Sequence, residues 1–137
     1  WRTRRIRVAG REPAFVWAQH QQTGAWVPLN ARMLKESLVA LPNVLGFRVR
    51  YAEVGRLELT LVVSRDDGEE ALRDAAALAV TELVRDQGSR VSDLLPRVEV
   101  HVVSAEQFNR EGGKLNAISA TVLPPDLQAG APGSPAP

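Results

Sequence analysis

Hydrophobic and polar residues alternate in three segments of the chain, and this period is typical of β-strands that are buried on one face only. The first segment spans residues 47–51 and the second spans residues 57–63. Val54 and Gly55 lie between them, which predicts a hairpin turn. The third segment spans residues 97–103 and is rich in valine. The pattern therefore predicts three strands whose apolar side chains face one core.

Apolar residues at helical spacing predict two helices. The leucines within residues 34–41 recur at this spacing after Asn30, a residue type that caps helix N-termini well. A longer amphipathic segment covers residues 69–87, and Gly88 is a natural stop after it. The side chains that the second helix should turn inward are Leu72, Ala76, Ala79, Val80 and Leu83.

Residues 14–28 precede these elements and predict a β-hairpin. Two extended runs, residues 15–17 and 25–27, flank a polar stretch that ends in glycine and has the composition of a turn. In chain order the elements are a hairpin, a helix, two strands, a helix and a strand. We expect an α+β fold with an N-terminal β-hairpin plus a small, mostly antiparallel sheet of about three strands, with two helices packed on one face.

The ends of the chain differ from its middle in composition. After Leu123 the residues are mainly Pro, Gly, Ala and Ser, which cannot bury enough apolar surface to become ordered. We expect residues 124–137 to be a disordered tail and residues 14–123 to be the folded domain. The chain begins with Trp1 rather than Met, so we expect it to be a fragment or a processed product.

Composition limits the kinds of site and location. The chain has no cysteine, which excludes disulfides and thiolate metal sites and fits a reducing cytoplasm. Its two histidines, His20 and His101, lie far apart in sequence, so we expect no metal site. No apolar run approaches the roughly 20 residues that span a bilayer, so we expect a cytoplasmic protein without a membrane partner.

Five arginines crowd residues 1–11, a feature that proteins binding nucleic acid often show. The formal net charge is only +1, however, because acidic residues elsewhere offset these arginines. Aromatic residues are also too sparse for a base-stacking surface. We therefore expect a solvated strand that packs against a further domain, and no nucleic-acid partner.

Residues 108–115 read Phe-Asn-Arg-Glu-Gly-Gly-Lys-Leu and should form a turn just after the third alternating strand. Gly112 and Gly113 have no side chain to obstruct a ligand, and they tolerate positive φ. Lys114 would present one compact, mobile charge to a carboxylate or a phosphate. The simpler interpretation is an ordinary turn with a solvated lysine, because Gly-Gly and Gly-Lys pairs are common in loops. A Walker-type phosphate loop is excluded, because the Gly-x-x-x-x-Gly-Lys-Ser/Thr spacing is absent.

This segment resembles the C-terminal lysine motif of the adenylate-forming enzymes, the acyl-CoA synthetase superfamily. Phe108, Arg110, Gly113 and Lys114 fit the motif, and Asn109 stands where proline is usual. The resemblance implies that Lys114 is the catalytic lysine of adenylation. It also implies that ATP and Mg²⁺ are bound mainly by a large N-terminal adenylation domain, together with the carboxylic acid substrate.

A second segment, near the start of the chain, resembles the interdomain hinge motif of the same superfamily. Gly10 and Arg11 match it, and the resemblance implies that Arg11 contacts the nucleotide near its ribose. The hinge residue would be Glu12 or Pro13, and residues 1–13 would form a basic strand and the hinge. If Pro13 is the hinge residue, the usual Asp or Lys is missing and a fixed φ makes rotation harder.

Residues 24–28 resemble the segment that lines the thiol-acceptor tunnel in coenzyme A-forming members of this superfamily. Gly24 matches the segment, whereas the acidic residue that usually follows it is absent. The resemblance implies that Gly24 belongs to the tunnel and that coenzyme A is a candidate acceptor. The arrangement of residues 10–41 is similar to that of the phenylacetate–CoA ligase-like branch.

The leading hypothesis is therefore the C-terminal lid domain of an acyl- or aryl-CoA ligase, which would rotate between adenylation and thioester formation. The isolated chain should be inactive, because its sequence contains no phosphate-binding loop of its own. One alternative is a free-standing α+β module that binds a partner or a ligand without catalysis. Another is a lid that acts with a separately encoded large domain.

Overall fold

Six strands and five helices make up the part of the chain that the computed structural model describes, which is residues 13–64 and 68–129. The strands are β1 (Phe15–Gln19), β2 (Trp26–Asn30), β3 (Val44–Glu53), β4 (Arg56–Val63), β5 (Arg97–Ser104) and β6 (Ala117–Ala120). The helices are α1 (Ala31–Val39), α2 (Glu69–Asp86), α3 (Val91–Leu94), α4 (Ala105–Glu111) and α5 (Pro125–Ala129). Among these described helices, none combines the length and the apolar character needed to cross a bilayer.

The N-terminal hairpin forms as predicted. β1 and β2 pair antiparallel and make a separate two-stranded sheet, in which Phe15 lies opposite Asn30. Asn30 then caps α1, because its side chain accepts a hydrogen bond from the backbone N–H of Met33 at 3.0 Å. The hairpin and the first helix are therefore joined without a loop.

The main sheet has four strands in the order β5-β4-β3-β6. β3 and β4 form the predicted antiparallel hairpin around Gly55. β5 lies parallel to β4, however, and β6 lies parallel to β3. The α+β class is confirmed, but the main sheet is mixed rather than mostly antiparallel, and it has four strands where about three were expected. The reason is that α2 connects β4 to β5 as a crossover, and a crossover through a helix returns the next strand in parallel.

One hydrophobic core joins the hairpin, α1, α2 and the inner face of the sheet. Phe47, Val49 and Tyr51 of β3 are fully buried in it, as the alternation predicts. The side chains that α2 contributes are Leu72, Ala76, Val80, Leu83 and Val84. Because α1 and α2 also contact each other, both helices cover the same face of the sheet.

The segment after β5 differs most from the sequence-based expectation. α4 lies between β5 and the Gly-Gly-Lys turn, so the prediction of a turn directly after the strand is wrong. The hydroxyl of Ser104 caps this helix by accepting a hydrogen bond from the N–H of Gln107 at 3.1 Å. Within the segment predicted to be a disordered tail from residue 124, Pro125–Ala129 form α5, and residues 130–137 lie outside the described part.

Candidate functional site

Lys114 lies in the connection between α4 and β6, which we name the lysine loop (residues 112–116). Gly112 and Gly113 have φ values of +79° and +121°, so both use the backbone freedom that glycine provides. The Lys114 side chain is exposed. Within the described residues its ammonium has no hydrogen-bond or ion-pair partner. The loop therefore presents one cation that is available to an external anion.

Arg48 of β3 holds the start of the lysine loop. Its Nη1 donates a long hydrogen bond of 3.5 Å to the carbonyl oxygen of Gly112. Its guanidinium carbon also lies 5.1 Å from the centroid of the Phe108 ring, in the geometry of a cation–π contact. Phe108 is itself buried at 3% exposure, so the ring is a fixed surface for the guanidinium.

Asn116 holds the other end of the loop. Its backbone N–H donates to the carbonyl of Phe47 at 2.6 Å, and its Oδ1 accepts from the N–H of Phe47 at 3.2 Å. Leu115 packs over Gly46, where a Cβ would lie only 2.8 Å from Leu115 Cδ2. The lysine loop is thus attached to β3 on both sides of Lys114.

Gly24 lies at the opposite end of the fold from Lys114. The N–H of Gln21, in the same turn, donates to the carbonyl of Asp93 at 2.8 Å, and Gln21 Nε2 also approaches Gly55. The lysine loop is bonded to Phe47, near the start of β3, whereas Gly55 follows the end of that strand. A rise of about 3.3 Å per residue separates the two ends by on the order of 20 Å.

Pro13 is the only predicted hinge or nucleotide residue within the described part, because Arg11 and Glu12 lie outside it. Pro13 is half-buried and lines an open groove of about 420 Å³ with Ile118 of β6. Ile118 is four residues after Lys114. The chain therefore enters the domain on the edge of the sheet that also carries the lysine loop.

Three side chains on the outer face of the sheet form a cluster that sequence reasoning missed. Potential ligand atoms of Glu58, Glu99 and His101 all lie within 4.8 Å of one another. Arg56 already binds this cluster, with hydrogen bonds of 2.9 and 3.1 Å to the two oxygens of Glu99. These hydrogen bonds are the main reason why the pKa of Glu99 lies below its ordinary value. The carboxylates are thus partnered by a cation of the chain itself, and we assign no metal site there.

Comparisons of this chain with protein-family models, with curated proteins and with solved structures found no significant match.

Proposed function

We propose that this chain is the C-terminal lid domain of an ATP-dependent enzyme that activates a carboxylic acid, of the adenylate-forming, phenylacetate–CoA ligase-like type. Lys114 is the adenylation lysine in this proposal. The observation that carries it is the lysine loop, in which an exposed lysine stands between two anchored ends. A solvated turn lysine would not require such anchoring on both sides.

The chemistry explains why a fixed lysine is useful. Adenylation joins a carboxylate to the α-phosphate of ATP and expels pyrophosphate, so two anions must approach each other. An ammonium held between them offsets their repulsion and stabilises the charge that develops in the transition state. Because the loop is attached to β3 before the substrate arrives, little reorganisation is needed at the moment of reaction.

The distance between Lys114 and Gly24 supports a two-step use of the domain. In the first step the lysine loop would face the large domain, which binds ATP, Mg²⁺ and the acid. In the second step a rotation would turn the Gly24 hairpin toward the reaction centre, where coenzyme A is the candidate acceptor. Closure and rotation of a small domain are known ways to exclude water and to gate successive steps.

The proposal implies a specific partner and setting. The partner is the large adenylation domain, either in the same polypeptide or as a separate chain, in the cytoplasm. The chain by itself should not catalyse ATP–pyrophosphate exchange. Recovery of a large ATP-dependent protein that contains or binds this chain would support the proposal. Recovery of a lone 15.0 kDa chain without exchange activity would contradict it.

Replacement of Lys114 tests the catalytic role directly. In the complete enzyme, Lys114→Ala should lower the rate of pyrophosphate exchange by about 10²–10³, the effect typical of losing one transition-state contact. The thermal midpoint should not change, because the side chain is exposed. Arg85→Ala is a matched control that removes one exposed cation from the end of α2. Exchange within a few-fold of wild type in the Lys114→Ala enzyme would refute the assignment.

A second candidate, a binding module without catalysis, is favoured by one observation. An open groove of about 530 Å³ between α1 and α2 is lined by several apolar side chains. Two of them, Met33 and Leu78, are 43% and 54% exposed. If the native protein is this domain alone, Leu78→Asp should abolish binding to any partner that co-purifies with it. Unchanged co-purification would exclude the groove as the binding surface.

A further inference from the structure

Arg48 is a long side chain of the sheet that reaches the backbone of the lysine loop and donates a hydrogen bond to it. Its own backbone lies in the middle of the sheet, paired with Thr60 of β4 on one side and Ala117 of β6 on the other. The base of the side chain is therefore fixed by two neighbouring strands. The guanidinium at its end contacts both the Phe108 ring and the carbonyl of Gly112. Both residues shortly precede Lys114 in the sequence.

Gly113 also lies directly beside the Arg48 guanidinium. A Cβ at this position would lie 2.5 Å from Arg48 Nη1, which is too close for any side chain to be accepted unless the guanidinium moves. At Gly112, by contrast, an added Cβ would meet nothing within 4 Å. The φ of +121° already favours glycine at this position, and the absence of a side chain there also leaves room for the Arg48 guanidinium.

We infer that Arg48 is a positioning residue for Lys114: its guanidinium, stacked on Phe108 and bonded to Gly112, fixes the lysine loop in the conformation that presents the ammonium. This inference rests on the proposed function for its catalytic consequence. Arg48 is not a catalytic residue, since its contacts are with the loop. Lysine cannot replace it fully, because an ammonium lacks the planar surface and the fork of donors that guanidinium offers.

Arg50 supplies a matched control. It is the next residue on the same face of β3, it is exposed, and it lies opposite Glu58 and Ser119 rather than beside the lysine loop. Arg48→Ala and Arg50→Ala remove the same charge from the same strand. A difference between the two variants therefore reports the contact with the loop and not the loss of charge.

Backbone ¹⁵N relaxation of the 137-residue chain gives the first readout. In wild type and Arg50→Ala, the amides of Gly113 and Lys114 should have order parameters near the rigid value of about 0.85, and in Arg48→Ala they should fall below about 0.6. Arg48→Lys should restore them only in part. Unchanged order parameters in Arg48→Ala, or full restoration by Arg48→Lys, would overturn the inference.

Pyrophosphate exchange in the complete enzyme gives the second readout. Arg48→Ala should lower kcat between about tenfold and about 10²-fold, as a small displacement of a reacting group does, and should leave the KM for the acid unchanged. Arg50→Ala should keep the wild-type kcat. A wild-type kcat in Arg48→Ala would overturn the inference alone, whereas a wild-type enzyme without any exchange would overturn the proposed function.

Discussion

Asn116 joins β6 to β3 through two features, its left-handed backbone and its side-chain hydrogen bond, and substitutions of this residue can separate their contributions. Its φ of +56° lies in the left-handed region, which asparagine tolerates better than most residues. Its Oδ1 accepts the N–H of Phe47, while its own N–H donates to the carbonyl of Phe47. The side chain therefore acts as one further carbonyl of the parallel β3–β6 ladder. Alanine removes the Oδ1 acceptor and also tolerates positive φ poorly. Glycine removes the acceptor but tolerates positive φ, and aspartate keeps both the acceptor and the tolerance of positive φ.

The expected magnitudes follow from the two contributions. Removal of the acceptor breaks this part-buried hydrogen bond and leaves the N–H of Phe47 without its partner, which costs about 1–3 kcal/mol. A Cβ-bearing residue without a helpful side chain at positive φ costs about 1 kcal/mol more. Asn116→Ala should therefore lower the free energy of unfolding by about 2–4 kcal/mol, and Asn116→Gly by about 1–3 kcal/mol. Asn116→Asp should stay within about 0.5 kcal/mol of wild type, as surface changes usually do.

Urea unfolding of the four proteins at neutral pH measures these differences, provided that the slope of the transition is the same in all of them. Two results would refute the reasoning. If Asn116→Asp is as unstable as Asn116→Ala, the acceptor is not what matters. If Asn116→Gly is no more stable than Asn116→Ala, the left-handed backbone makes no contribution.

Two further predictions concern the loop and the charged cluster. Gly112→Ala and Gly113→Ala should both destabilise the chain because both positions have positive φ, and Arg48→Ala should relieve only the Gly113 variant, by about 0.5 kcal/mol in a double-mutant cycle of urea unfolding; additive effects would contradict the contact between Arg48 and Gly113. Glu99 has a folded-state pKa below its ordinary value of 4.5, so its ion pair with Arg56 contributes stability that is present above this pH and is lost as the pH falls through the lower, folded value. Arg56→Gln should therefore be less stable than wild type at neutral pH, and the difference in urea midpoint should shrink below pH 4.5; a difference that stays constant with pH would contradict the linkage.

The parts of the fold that sequence could predict are those with a local cause. Alternation over β3 and β4 depends only on residues within each strand and its turn, and Phe47 and Tyr51 are buried as it requires. The cap at Asn30 is equally local, since donor and acceptor are three residues apart. Each of these features could therefore be recognised without knowledge of the rest of the chain.

The parts that sequence did not predict depend on distant pairing or on very short elements. β6 has four residues and no clear alternation, so its parallel pairing with β3 leaves no local pattern. The contact between Arg48 and Gly112 joins residues 64 positions apart. α4, by contrast, could have been found, because Ser104 and Gln107 have the spacing of a capping box. Pro125 likewise occupies the first position of α5, where proline is favoured.

The same contacts limit how the proposed lid can move. β6 is an edge strand with four register pairs to β3, and further bonds extend the ladder at both ends, from Asn116 to Phe47 and from Thr121 to Tyr51. At the other end of the fold, the Gln21–Asp93 hydrogen bond ties the Gly24 turn to the segment before β5. Neither end is free to swing alone, because β6 is bonded to β3 and the Gly24 turn is bonded to α3. An exchange of the two ends at one reaction centre would therefore require the described domain to rotate as one body.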